Sequence, residues 1–288
     1  MAANTRDIRR RIKSIKNTSQ ITKAMQMVAS SKMRKAQAAA LAGRPYAEQL
    51  NKVLVDVQRH ADVTLHPLLQ ERPVKKELVV VLSTDKGLCG ALNTNLLREI
   101  NTFDRQKTVF ISAGRKAQQY LARVQRQLLA DFPLPDALRL RDTKVISQYC
   151  IDQFRTGEVD KVTVLYTQFV NTLIQKPLAR TLLPISPFDL PASAEKVEKQ
   201  DSGSDYIYEP GAMAVLDTIL PHYLHFEVYQ MALDARASEH SARMVAMKNA
   251  TENAQTLIHN LTLEYNKVRQ SSITTEILEI ATAQIALE

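Results

Sequence analysis

Every glycine and every proline of this 288-residue chain falls between Gly43 and Pro221. Glycine frees the backbone and proline removes an amide donor, so together they punctuate a fold. Residues 1–42 and 222–288 contain neither. That distribution predicts two very long helices flanking a compact, turn-rich middle. At ~1.5 Å per residue the C-terminal stretch spans roughly 100 Å and the N-terminal one roughly 60 Å. Helices in globular domains run to about 20 residues. Arms of this length read as a coiled-coil shaft, which transmits force or position and performs no chemistry.

Hydrophobic content of 45% supports a core, but not around two extended helices unless they pair. Two cysteines, Cys89 and Cys150, make no disulfide framework and point to a reducing compartment. No apolar run reaches the ~18 residues of a membrane span. The N-terminus MAANTRDIRRRIKSIK has no apolar h-region and is not a secretory signal. It is basic and amphipathic, as mitochondrial presequences are. It runs into the same helical pattern without a break, so it reads as mature sequence. Residues 1–36 carry ten Lys/Arg and one acid, Asp7, a net of +9, while the whole chain carries +8. All of the excess charge therefore lies in the first helix. Such asymmetry calls for an acidic protein partner, anionic lipid or nucleic acid.

Helical periodicity opens the chain with Ile8, Ile12 and Ile15. It continues through Met25, Val28, Ala29, Met33 and Ala36, and past Gly43-Arg44-Pro45 to Leu50, Val53, Leu54 and Val57. The polar run Asn17-Thr18-Ser19-Gln20 interrupts this seam, which is weak as a self-sufficient coiled coil. The middle alternates strand and helix signals. Strands are expected at 78–82, 108–111, 161–166 and 178–185, and helices at 91–101, 115–127 and 143–155. That order argues a small parallel or mixed sheet of doubly wound type. Residues 191–206 are polar and read as a mobile connection. After Pro221 a helix runs to the end, with Met247, Ala250, Ala254, Leu257 and Leu261 on one side and Ile273, Ile277 and Ile280 beyond. The fold expected is therefore α/β: a long antiparallel coiled coil of N- and C-terminal helices with an inserted Rossmann-like α/β domain. The segments are 1–60, 75–190 and 208–288.

Motifs for chemistry are weak. Gly87-Leu88-Cys89-Gly90, after a strand and before a helix, is placed like a phosphate-cradling loop but lacks both nucleotide fingerprints, and reads as a tight turn. Cys89 reads as a small buried residue. His222, His225 and Glu227 have the wrong spacing for a zinc helix and read as exposed helix-start residues. Glu239-His240 reads as a polar helix face. No nucleophile–base pair stands out, so no cofactor, metal or catalytic residue is expected.

Three segments resemble the F-type ATP synthase gamma subunit of bacterial type. RIKSIKNTSQITKAMQMVA (residues 11–29) is similar to the family's N-terminal helix, and STDKGLCGALN (83–93) to its first strand–loop–helix. SEHSARMVAMKNATENA (238–254) and YNKVRQSSITTEILEI (265–280) are similar to its C-terminal helix. The likeness spans essentially the whole chain in order. One departure is local: the family signature I-T-x-E-x-x-[DE]-x-x-x-G-A is met by Ile273, Thr274, Glu276 and Glu279, but Ala283 and Gln284 replace its Gly-Ala. Alanine for glycine favours helix by roughly 1 kcal/mol. The extra cysteine-bearing segment of the light-regulated photosynthetic form is missing, so thiol control is not expected.

The resemblance implies a non-catalytic rotor shaft that couples proton flow through the membrane sector to ATP synthesis at an alpha/beta hexamer. It implies alpha, beta, epsilon and delta subunits and the c-ring as partners, and no nucleic acid. It places the chain peripherally at the cytoplasmic face of the bacterial inner membrane. Lys13, Lys16, Lys23 and Met25 on the first helix, and Arg269, Gln270, Thr274 and Glu276 on the last, are the implied hexamer contacts. Lys32, Arg34 and Lys35 are further candidates for an acidic beta-subunit loop. Tyr206, Tyr208 and Glu209 are the implied foot contacts to epsilon and the c-ring. Asn17–Gln20 is expected opposite Arg269–Thr274. Two other classes compete. One is a basic helical nucleic-acid-binding protein, weakened by the lack of any aromatic in residues 1–36. The other is an α/β enzyme.

Overall fold

The computed structural model describes residues 5–60, 66–185, Glu209 and 211–287. In chain order these form α1 (Thr5–His60), β1 (Glu77–Leu82), α2 (Leu92–Glu99), β2 (Thr108–Ala113), α3 (Arg115–Arg123), β3 (Leu128–Asp131), α4 (Leu140–Arg155), β4 (Lys161–Phe169), β5 (Gln175–Leu183) and α5 (Ala212–Leu287). The chain divides into two compact units, Met1–Ser30 with Arg243–Glu288 and Ser31–Ala242. Both terminal helices contribute to both units.

The unit Ser31–Ala242 is built on a five-stranded sheet of order β3-β2-β1-β4-β5. The first four strands are parallel, and β5 returns antiparallel along β4 through a short hairpin. Side chains alternate across a sheet, so the apolar run of β1 feeds two cores. Leu78, Val80 and Leu82 join Ile146, Phe154, Leu216, Leu224 and Val228 on the face covered by α4 and α5. Val79 and Val81 join Leu96, Phe110 and Leu121 on the face covered by α2 and α3.

Most element ends differ from expectation by a few residues, as where α4 begins at Leu140 and β4 runs to Phe169, and three of the differences have a local cause. The helix expected over 115–127 stops at Arg123, because Gln125 turns the chain at φ 52 and releases the short strand β3. β5 begins at Gln175 and contains Pro177, which an edge strand tolerates since its missing N–H faces away from the ladder. α5 begins at Ala212 and runs through Pro221. A proline inside a helix costs ~3 kcal/mol. Leu216 at 0% and Leu220 at 1% exposure each return about 1.5–3 kcal/mol on burial, which offsets it.

The other unit is a helix pair. Arg9 contacts Tyr265 and Thr22 contacts Thr251, so the two segments run antiparallel. Its seam is lined by small and flexible side chains: Ile8, Ala29, Met247, Thr251 and Ala254 are buried. Alanine at the contact lets the backbones approach closely.

Candidate partner interface

The seam of the helix pair is held by polar as well as apolar groups. The Thr22 and Thr251 hydroxyls lie 2.7 Å apart, and each also reaches a backbone carbonyl of its own helix, Ser19 O at 3.0 Å and Met247 O at 2.8 Å. Two protons serve three contacts, so one hydroxyl donates across the seam while the other keeps its own carbonyl. Arg9 donates to the Tyr265 hydroxyl at 2.6 Å and stacks over its ring at 5.5 Å. These contacts set the register. Asn17–Gln20 lies between Arg9 and Thr22, so it faces the Thr251–Tyr265 stretch and not Arg269–Thr274 as expected. The chain order of α5 places the latter run beyond the partner of Arg9.

Arg6, Arg9, Lys13, Lys16 and Lys23 recur at helical spacing and share one exposed face of α1. Met25 is partly buried. Lys32 differs from its neighbours, since its Nζ is 2.6 Å from Asp136 of the same chain and holds that carboxyl below the usual carboxylate range. Arg34 and Lys35 remain exposed.

Arg269, Gln270, Thr274 and Glu276 are all exposed on α5. Given the register, the described part of α1, from Thr5 on, reaches no further along α5 than Arg269. On this tip Ile273, Ile277 and Ile280, exposed at 45%, 60% and 68%, fall on one face. At ~100° per residue, Arg269 and Glu276 border that face on one side and Gln270 and Thr274 on the other. The face is turned about a quarter turn from the seam residues Met247, Thr251 and Ala254. The tip therefore presents apolar surface that the helix pair does not use. Thr274 donates its hydroxyl proton to Gln270 O at 2.9 Å, so its side chain offers a partner an acceptor. Tyr206 and Tyr208 lie outside the described residues, and Glu209 is exposed.

Elsewhere the candidate chemistry resolves into structure. In the Gly87–Gly90 loop, Asn93 donates to Thr84 Oγ1 at 2.8 Å and to Cys89 Sγ at 3.2 Å, and Thr84 donates to Lys86 O at 2.8 Å. The loop's polar groups close on one another, and Cys89 is buried. His225 is not exposed as expected. It is 5% exposed, with Nδ1 2.6 Å from Ser147 Oγ of α4, and burial pushes its pKa down to about 4. Glu227 pairs with Arg180 at 2.8 Å. Glu239 and His240, expected as a polar face, are each 4% exposed. Glu239 accepts from Arg236 at 2.7 Å, and Arg236 also donates to Leu134 O at 2.8 Å. Sequence reasoning missed Arg236. Its signal is the three-residue spacing to Glu239 inside an Ala- and Ser-rich run, where little else explains two opposite charges. Among the described residues no cluster of His, Cys, Asp and Glu is placed to hold a metal ion.

A sequence model of the family described as ATP synthase matches residues 4–287. The ATP synthase gamma chain of Methylacidiphilum infernorum is 51% identical over 99% of both chains. That of Akkermansia muciniphila is 47% identical over 99% of both. Among solved structures, a chain of the Tetrahymena thermophila mitochondrial ATP synthase central stalk and c-ring is similar with a TM-score of 0.60 at 25% identity. It covers 80% of this chain and 99% of that one. A chain of the Euglena gracilis mitochondrial ATP synthase is similar in fold, with a TM-score of 0.68 at 22% identity over 98% and 94% of the two chains.

Proposed function

This chain belongs to the gamma-subunit family of F-type ATP synthases, and from that premise we propose which of its surfaces carry the work. It is the rotor shaft of the central stalk and is not itself catalytic. It couples proton flow through the membrane sector to ATP synthesis at the alpha/beta hexamer, with epsilon, delta and the c-ring as its other partners. Its association with the membrane is peripheral, and no helix among the described residues is long and apolar enough to cross one. The bacterial relatives support a place on the cytoplasmic face of the plasma membrane.

The shaft segments are 1–60 and 208–288, and 75–190 is the α/β foot. The single observation that carries the contact assignment is the α5 tip. An exposed stripe of Ile273, Ile277 and Ile280 has no cover among the described residues, and apolar stripes of this kind mark interaction sites. Arg269, Gln270, Thr274 and Glu276 frame it with polar heads. A shaft must contact each beta conformer differently to bias it. A polar frame around an apolar stripe supplies directional contacts beside non-directional ones. The basic face of Lys13, Lys16 and Lys23 meets acidic beta-subunit surfaces, and Met25, about half a turn round the helix from Lys16, is a separate contact on the other side. This displaces the nucleic-acid reading of the same charge. Tyr206, Tyr208 and Glu209 are foot contacts to epsilon and the c-ring.

The test uses assembled enzyme in membranes. Arg269→Leu and Gln270→Leu lower ATP synthesis and steady-state hydrolysis together with assembly preserved, because a guanidinium fork is not replaced by an alkyl chain. Lys267→Ala, on the far side of the helix from Arg269, has a much smaller effect. Lys23→Glu lowers proton pumping while hydrolysis persists. Wild-type turnover in both Leu variants removes these residues from the mechanism.

A further inference from the structure

Within Ser31–Ala242, α5 is seated on the α/β sheet by directional bonds on two opposite sides. On one side His225 meets Ser147 of α4 at 2.6 Å, and Arg236 donates to Leu134 O, in the loop after β3, at 2.8 Å. On the other, Glu227 pairs with Arg180 of β5 at 2.8 Å, and Ser238 donates to Thr167 O of β4 at 2.9 Å. His225 and Arg236 are separated by the same interval as Glu227 and Ser238. That interval of about 11 residues closes three helical turns, so each pair shares a face. The two faces lie about half a turn apart around the helix.

Apolar packing alone does not fix the rotation of a helix about its own axis, since burial is non-directional. Hydrogen bonds fix angle as well as distance. Two rows of them on opposite sides act as a key in a slot. An axial roll of α5 that relaxes one row must stretch the other. Three of the four α5 side chains in these rows are out of water: His225, Arg236 and Ser238 are 5%, 6% and 0% exposed, while the Glu227–Arg180 pair is half-buried. A buried bond left unmade costs more than an exposed one, so the rows resist a roll more strongly than surface pairs would.

We propose that these two rows lock α5 against axial rotation, making this stretch the joint through which torque passes between the α/β domain and the shaft helix. Arg236 is the positioning residue of the lock, since its guanidinium reaches both a helix partner, Glu239, and the loop after β3. The proposal rests on the rotor assignment and goes beyond it.

The experiment holds the alpha/beta hexamer of the assembled enzyme on a surface and records the angular spread of a bead fixed to the α/β domain. Two variants are compared with wild type. Arg236→Met with Glu239→Leu removes the buried ion pair as a unit, which spares the fold the uncompensated charge that a single change leaves. Ser238→Ala removes one hydroxyl and keeps the test open if the double variant does not fold. Both are expected to broaden the angular spread. Both are also expected to lower ATP synthesis under an imposed proton gradient severalfold, with hydrolysis in the presence of an uncoupler held near wild type. An unchanged angular spread in Ser238→Ala and the double variant overturns the lock while leaving the rotor assignment intact. Failure of the wild-type chain to rotate within the hexamer overturns the rotor assignment itself.

Discussion

Gly114 opens α3 at φ +115, and a Cβ there would stand 2.3 Å from the Ser83 carbonyl oxygen. The corner is tied on both sides of that point. Ser83 Oγ donates to Gly114 O at 3.1 Å and accepts from Ala117 N at 2.9 Å. Gly114→Ala therefore meets backbone strain and a collision with backbone, which cannot swing aside. A loss of about 3 kcal/mol is expected, at the upper end of single-site strain, measured by urea unfolding of the full chain. Gly43 offers the contrast. Its added Cβ would fall 2.2 Å from Gln230 Nε2, the far end of a flexible side chain, an atom with no hydrogen-bond partner among the described residues, and 3.2 Å from the Phe226 ring. Alanine also favours helix by ~1 kcal/mol over glycine, so Gly43→Ala is expected within about 1 kcal/mol of wild type. Equal losses at both sites would refute the distinction. In the sequence Gly43 lies within a helical pattern and Gly114 between a strand and a helix, and neither setting shows what an added Cβ would meet. Only the neighbour brought in from a distant part of the chain separates them. Arg236 was hidden for the same reason, since its partner Leu134 O is a backbone atom that no side-chain pattern announces.

At the scale of elements, legibility followed the local signal. β1, β2 and β4 are dense apolar runs, and the helices on either side of the sheet bury them on both faces, so periodicity and composition agreed. β3 has three residues of middling burial, then the exposed Asp131, with no alternation, and the positive φ at Gln125 makes room for it. α5 starts earlier than its breaker pattern implied because tertiary burial of Leu216 and Leu220 outweighs Pro221. His225 shows what that misplacement concealed. It lies well inside the helix, against α4, and burial first, then Lys144 and His222, push its pKa down to about 4. The unfolded value is about 6.5. Between those values the unfolded chain binds a proton that the folded chain refuses. The contribution of His225 to stability is therefore complete above about 6.5 and drains away as pH falls toward 4. His66 is lowered as well, burial outweighing Asp217, and steepens the same acid limb. The midpoint of thermal unfolding should fall on going from pH 7 to pH 5, and His225→Gln should reduce that fall. An equal fall in the variant would show that other groups set the acid limb.

For the whole molecule, order in the terminal helices must come from burial, since fixing each residue's backbone costs about 1–2 kcal/mol. Burial is unevenly supplied along α5. Leu216, Leu220, Leu224, Val228, Met231 and Ala232 are enclosed in the core shared with the sheet. Met247, Thr251 and Ala254 are buried in the helix pair. From Arg269 to Thr282 every residue is exposed. The interrupted polar seam of α1 and the small residues opposite it return little per residue, so the pair is the weaker of the two units. Amide hydrogen exchange of the free chain should therefore show a descending series. Protection is strong over 216–242, intermediate over 247–265 and lost beyond 269, where the helix has neither sheet nor partner helix. In the assembled enzyme the last stretch should become protected if, as proposed, the hexamer replaces the missing burial around Ile273, Ile277 and Ile280. Uniform strong protection from 222 to 280 in the free chain would mean that the shaft is self-sufficient and that the exposed tip needs no cover. A tip that exchanges as fast in the assembly as in isolation would place it outside the hexamer, and the framing residues Arg269 and Gln270 would then have no surface to grip.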